Sequence, residues 1–269
     1  MKSNKKRFLK TIVVQSHRSS SLNEWIELCQ NSVREWAEYQ GFDYQFSDDR
    51  LFDYLPTRQL LQQYNAVIAS DLARVRWLRA LLADYERVIW CDADWLVMDI
   101  ERFQPVQSTY AVGREVWVDQ TDTGKLKAFR KVHNAYLQFD RNNAFLDFYI
   151  ETAERLLRAN IGGVPNQFVG PKLLTALHNV VGLNVHEQAG MLSPMLAAAL
   201  LMRAGSLCES EYQCLSSHPC ERVIELFQQR STEIPMAVNL SASCIEVSGL
   251  DARNILRLCE LLSTGRLCK

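Results

Sequence analysis

The sequence predicts an α/β protein: a doubly wound, mixed sheet flanked by helices, with a small helical C-terminal portion. Three observations lead there. Short apolar runs alternate with amphipathic helical stretches along most of the chain. One of those runs, "VIWC" at 88–91, is apolar at every position, as expected of a strand covered on both faces. The length of 269 residues suits one large domain, expected as a core over 1–204 with residues 205–269 packed on it.

The elements follow in order. "TIVVQS" (11–16) reads as the first strand, followed by a Ser-rich loop and a helix from about Asn23 to Tyr39, stopped at Gly41. "DYQFS" (43–47) alternates as a second strand, "DDRLFDYLP" reads as a turn and short helix, and a further helix is expected over Pro56–Tyr64. A helix from about Ala69 to Asp84 carries Val75, Leu78 and Leu82 as an apolar stripe and precedes the "VIWC" strand. "TYAVGREVWV" (109–118) supplies another strand, and "VHNAYLQFD" (132–140) reads as strand or turn before a helix over 143–160. A glycine-rich loop then leads to a helix opened by Pro171, a helix start whose N–H groups suit an anion, although Gly-Pro is also ordinary helix punctuation. "MLSPMLAAALLM" (191–202) is a core helix started at Ser193–Pro194, too short to span a bilayer. Helices at 219–230 and 251–264 are expected to flank a strand at 236–242.

Composition excludes some classes. A net charge of -1 gives no sign of a nucleic-acid surface. "LKTIVVQSH", after the basic start, is too short and polar for a signal-peptide core, so a cytoplasmic location with eight reduced cysteines is expected, and no transmembrane segment. Cys208, Cys214 and Cys220 recur every six residues, but without a C-x-x-C pair and with only His218 nearby they make a weak zinc site. Cys91 reads as a small hydrophobe.

The chemistry concentrates at the end of the "VIWC" strand. Asp92 and Asp94 follow it one residue apart. With 14 Asp in 269 residues, chance alone yields about 0.7 such pairs, so the context carries the weight. In open α/β sheets ligands bind beyond the carboxyl ends of the strands, and continued extended geometry would point both carboxylates to one side. Two close carboxylates repel, so a cation or proton belongs between them. Mg2+ or Mn2+ is the natural occupant, with a diphosphate able to complete the shell. One helix upstream, Asp71 and Arg74 lie beside the apolar stripe. They are either part of this site or a surface pair on a helix capped by Ser70.

"ASDLARVRWLRALLADYERVIWCDAD" (69–94), with "IVVQS", "QFSDD", "HNAYLQF" and "VGPKLLTALH", resembles the retaining glycosyltransferases of the DXD-motif sugar-binding family over Thr11 to about Ser243. "DYER" before the strand, in place of that family's Gly-Gly, is more similar to the glycogenin-type galactosyltransferase group. Val14 also stands where the family's first strand carries a histidine. The resemblance implies a GT-A fold and a metal-dependent transfer, with retention, from a nucleotide-sugar donor to a glycan, lipid or protein acceptor. It implies Asp92 and Asp94 at the cation, joined by Asn239 where these families usually place a histidine. It also implies donor-binding positions at Gln15, Ser16, Asp71, Arg74, Ala93, Asn134 and Gly170. An amide oxygen ligates Mg2+ or Mn2+ without bringing charge.

Two other readings stand beside this one. An aspartate-nucleophile phosphatase also places D-x-D after a hydrophobic strand, with the first Asp attacking phosphorus. A protein of the same fold lacking turnover would bind the sugar nucleotide or glycan only.

Overall fold

The computed structural model describes residues 9–18, 23–160, 163–207 and 218–264. In chain order the elements are β1 (Thr11–Ser16), α1 (Glu24–Gln40), β2 (Asp43–Ser47), a 3-10 turn (Asp49–Tyr54), α2 (Leu60–Gln63), α3 (Ala66–Leu81), β3 (Arg87–Cys91) and β4 (Trp95–Val97). They continue with β5 (Tyr110–Gln120), β6 (Leu126–Asp140), α4 (Ala144–Ala159), α5 (Pro171–Val181), β7 (Val185–His186), β8 (Ala189–Met191) and α6 (Pro194–Arg203). The chain closes with α7 (Cys220–Arg230), β9 (Ala237–Asn239), α8 (Ala242–Val247) and α9 (Ala252–Ser263).

The main sheet has the order β2-β1-β3-β6-β5-β7, and a second sheet has the order β4-β9-β8. β1 pairs parallel with β2 and β3, while β6 runs antiparallel to β3 and β5, so the sheet is mixed, as the sequence predicts. Period-two alternation divides the strand residues between two cores. Ile12, Val14, Val88 and Trp90 pack on the side of α3 and α4. Val13, Ile89 and Cys91 pack against Val33 and Trp36 of α1 and against Trp95 and Val97 of β4. A third cluster joins α6, α7 and α9 to Trp25 and Ile26 of α1 and to Val116 and Val118 of β5.

Several boundaries differ from expectation. α3 starts at Ala66, because Asn65 caps it by accepting the Ile68 N–H at 3.0 Å, and Ser70 lies inside the helix. The helix expected over Pro56–Tyr64 contracts to α2, preceded by the 3-10 turn. "VHNAYLQFD" is strand, the second half of a 15-residue β6 that forms a long hairpin with β5. The strand expected over 236–242 ends at Asn239, and α8 follows. Ser193 does cap α6, accepting the Leu196 N–H. Cys91 is fully buried, as expected. Cys208 and Cys214 lie outside the described residues, and Cys220 is a free thiol. No helix among the described residues is long and apolar enough to cross a membrane.

Candidate active site

Asp92 stands where β3 ends. Its backbone is held from three sides: its N–H donates to the Ala135 carbonyl at 2.9 Å, and its carbonyl accepts from the Gln15 side chain at 2.9 Å and from the Trp95 N–H at 3.0 Å. That last bond closes a turn at Ala93–Asp94, so extended geometry does not persist and the two carboxylates point to different partners. The Asp92 carboxylate stays on the α3 face, like Trp90 two residues earlier. There its Oδ1 accepts from Trp90 Nε1 at 2.6 Å and pairs with Arg74 Nη1 at 3.0 Å. Its Oδ2 has no partner among the described residues. Asp94 is brought instead to β9, where its Oδ1 accepts from Asn239 Nδ2 at 2.6 Å.

Arg74 links the expected groups. It lies over the Trp90 ring at 4.8 Å, donates to the Asn134 carbonyl at 3.1 Å and sits 3.4 Å from Asp71 Oδ1. Asp71 Oδ1 also accepts from Asn134 Nδ2 at 2.7 Å. Asp71 and Arg74 are both buried, which overturns a surface pair at the helix start. Burial raises the Asp71 pKa, with Arg74 and Asn134 working against the shift. For Arg74, burial lowers the pKa, but the Asp92 and Asp71 charges outweigh it and the guanidinium is held firmly protonated. Asp71 Oδ2 and Arg74 Nε are buried without a hydrogen-bond partner, an unusual state for polar atoms of a folded core. Gly170 closes this cluster, since a Cβ there would lie 2.3 Å from Asp71 Oδ2 and 2.8 Å from Asn134 Nδ2.

Two clefts meet at the aspartates. One, of about 340 Å³, opens beyond the carboxyl ends of β1, β2 and β3 and is lined by Ser16, Asp48, Phe52, Val67, Ser70 and Ala93 among others. The second, of about 590 Å³, runs between the β5–β6 hairpin and α5 and takes in Asp71, Asn134 and Asn239. Arg74, Asp92 and Asp94 line both.

The expected positions therefore gather in one place, with different roles. Ser16, Ala93, Arg74, Asp92 and Asp94 face the first cleft. Gln15 is fully buried, accepts from the Tyr44 hydroxyl at 3.0 Å and supports the Asp92 backbone from beneath. Gly170 supplies close approach. Asn239 meets Asp94 through its N–H side, because its Oδ1 accepts from the Ser241 N–H at 2.8 Å and a backbone N–H can only donate. Among the described residues no three His, Cys, Asp or Glu side chains group as a metal site. Any cation held here would have the two carboxylates as its charged donors, hard oxygen ligands of the kind Mg2+ and Mn2+ take.

No family model matches the chain, and no curated protein matches it. Among solved structures, a glycosyltransferase involved in glycosylation of the major capsid of PBCV-1 is similar over 93% of this chain and 98% of its own. The identity is 10% and the TM-score 0.46. The galactosyltransferase LgtC, solved with donor and acceptor sugar analogs, is similar over 93% of this chain and 95% of its own, at 10% identity and TM-score 0.41. Mouse xyloside xylosyltransferase 1 is similar over 87% of this chain and 98% of its own, at 11% identity and TM-score 0.43.

Sequence reasoning did not single out Trp90, whose indole N–H and ring face contact Asp92 and Arg74. It also missed the second cleft's Glu115, Trp117 and Lys131. The alternation of "REVWVD" was the available signal: Glu115 and Trp117 share one strand face, Val116 and Val118 the other.

Proposed function

We propose that the protein is a metal-dependent glycosyltransferase of GT-A fold that moves a sugar, with retention, from a nucleotide-sugar donor, a UDP-sugar being favoured, to an acceptor. The carrying observation is that two separate clefts share Arg74, Asp92 and Asp94, so two substrates can meet at one pair of carboxylates. The first cleft, at the ends of the parallel strands, takes the donor, and the second takes the acceptor.

Asp92 and Asp94 would hold Mn2+ or Mg2+, which when bound neutralises charge on a leaving diphosphate. Arg74 fixes the Asp92 carboxylate through Oδ1 and leaves Oδ2 for the cation. Asn239 holds Asp94; ligation by its amide oxygen requires the amide to turn over and give up the Ser241 N–H. Asp71, whose Oδ2 is buried without a partner beside Gly170, borders the second cleft and holds Asn134 and Arg74 in place next to the aspartates. The phosphatase reading is disfavoured because that motif normally ends the first strand, whereas Asp92 follows β3.

Calorimetric titration of UDP with and without Mn2+ tests the proposal. Asp92→Ala and Asp94→Ala are expected to abolish the metal-dependent part of UDP binding while keeping a cooperative melting transition, and undiminished binding in both variants would refute it. A thermal-shift panel of nucleotide sugars identifies the donor, since a ligand at 100 times its Kd adds about 2.7 kcal/mol. Release of UDP upon adding acceptor separates an enzyme from a protein that only binds. The anomeric proton signal of the product tests retention, and an inverted linkage ends that part of the reading.

A further inference from the structure

We propose that the groove between the β5–β6 hairpin and α5 is a carbohydrate subsite, and that the acceptor is therefore a glycan; calling its occupant the acceptor rests on the transferase reading above. The hairpin wall is set by register. Glu115 faces Lys131 directly across the β5–β6 pair, and Trp117 follows two residues on, so all three share one face. Val116 and Val118, on the opposite face, are anchored in the core with α6 and α7, which fixes the orientation of the exposed face. The helix wall presents Lys172, Thr175 and Asn179, spaced along one side of α5. Thr175 ties that side to the hairpin by donating to the Val132 carbonyl at 3.2 Å.

This wall chemistry suits a sugar ring. Glu115 is a mostly buried carboxylate whose one ion pair among the described residues is with Lys131 Nζ at 3.7 Å, longer than a hydrogen bond. It therefore keeps acceptor sites for hydroxyl groups. Burial raises its pKa while Lys131 works to lower it, as expected of a carboxylate held in a partly dry groove. Lys172 has no side-chain partner among the described residues and supplies donors from the other side. Trp117 is half-buried, and its indole offers an apolar face for the C–H side of a sugar ring beside these polar groups. A lipid tail would leave the carboxylate, ammonium, hydroxyl and amide groups of these walls without partners, whereas sugar hydroxyls would engage them. An extended peptide would want a free strand edge, but this groove is bounded by a strand face and a helix side, whose backbone groups are already paired.

The groove ends at Asp92 and Asp94, so a ring stacked on Trp117 directs the rest of the chain toward the point where the two clefts meet. Fluorescently labelled protein, with and without UDP and Mn2+, is applied to an array carrying oligosaccharides, octyl lipids and short peptides; UDP affinity is titrated in parallel. Retention on a subset of oligosaccharide spots is expected. Trp117→Ala and Glu115→Gln should each weaken it by about tenfold, the effect of losing roughly 1.4 kcal/mol, with UDP affinity unchanged. The proposal is overturned by no retention on oligosaccharides, by retention that both variants keep in full, or by retention on lipid or peptide spots instead. If UDP fails to bind while oligosaccharide retention remains sensitive to Trp117 and Glu115, the subsite stands and the transferase reading falls.

Discussion

Replacing Gly170 with alanine tests whether the Asp71 cluster is as tightly built as its distances say. The residue's φ of -94° lies outside the left-handed region that favours glycine, and the crowding around it is the larger question. The new carbon would lie 2.3 Å from Asp71 Oδ2, over an ångström inside the 3.4 Å at which ordinary contact begins, and 2.8 Å from Asn134 Nδ2. Asp71 cannot retreat freely, because it is buried and held by Asn134 at 2.7 Å with Arg74 beyond. Overpacking of this kind costs about 1–3 kcal/mol, equivalent to a fall in melting temperature of roughly 2–10 °C for a chain of this size. Urea denaturation followed by circular dichroism measures it. The double variant Gly170→Ala/Asp71→Ala should be less destabilised than the two single changes added together, because the clash partner is gone. A Gly170→Ala protein within about 0.5 kcal/mol of wild type, or strict additivity in the double variant, would refute the reasoning.

Three further outcomes are expected. His186 is buried against Phe103 with its pKa pushed down to about 4 by burial, only partly opposed by the Gln104 carbonyl and Glu187. The unfolded chain therefore takes up the proton first, and stability present above about pH 6.5 is lost as pH falls toward 4. That loss is on the order of 1–2 kcal/mol between pH 7 and 5, and His186→Gln should flatten the slope in a melting-temperature series. Asn143→Ala removes the cap that accepts from the Phe145 and Leu146 N–H groups and should cost about 1 kcal/mol by chemical denaturation. Asn239→Leu should weaken Mn2+ binding less than Asp92→Ala does, since no charge is removed. Asn239→His should tighten it, as imidazole is the better donor toward Mn2+, and unchanged calorimetric affinity in both Asn239 variants would rule that residue out of the cation site.

The long elements were legible because their periodicity is. The three-residue strands β4, β8 and β9 were not, or only as blurred segments, since three residues carry no usable period and their pairing joins segments far apart in sequence. The α3 start was misplaced for a local reason: Asn65 and Ser70 are both good capping residues, and only packing chooses between them. Asp71 and Arg74 could be nominated from their place beside an apolar stripe, but burial decides their role and no spacing rule reports it. The turn at Ala93–Asp94 escaped notice because "CDADWLV" contains neither Gly nor Pro. The Glu115–Trp117 face was written in plain alternation, yet its meaning depends on α5, a helix 54 residues later, lying opposite.

The pairing of Trp95 with Asn239, and of Asp94 with the Asn239 amide 145 residues away, also sets an order of events during synthesis. β1, β2, β3 and the β5–β6 hairpin can associate while the rest of the chain is still being made, since their contacts lie within the first 140 residues. At that stage Asp92 already has its clamp, with Gln15, Trp90, Arg74 and Ala135 all in place. Asp94 still lacks what β9 contributes, because Asn239 and the Leu240 N–H that binds its carbonyl have yet to emerge. A nascent or C-terminally clipped chain thus displays half a carboxylate pair, and joining the two halves is a late, long-range closure, slow relative to the local steps.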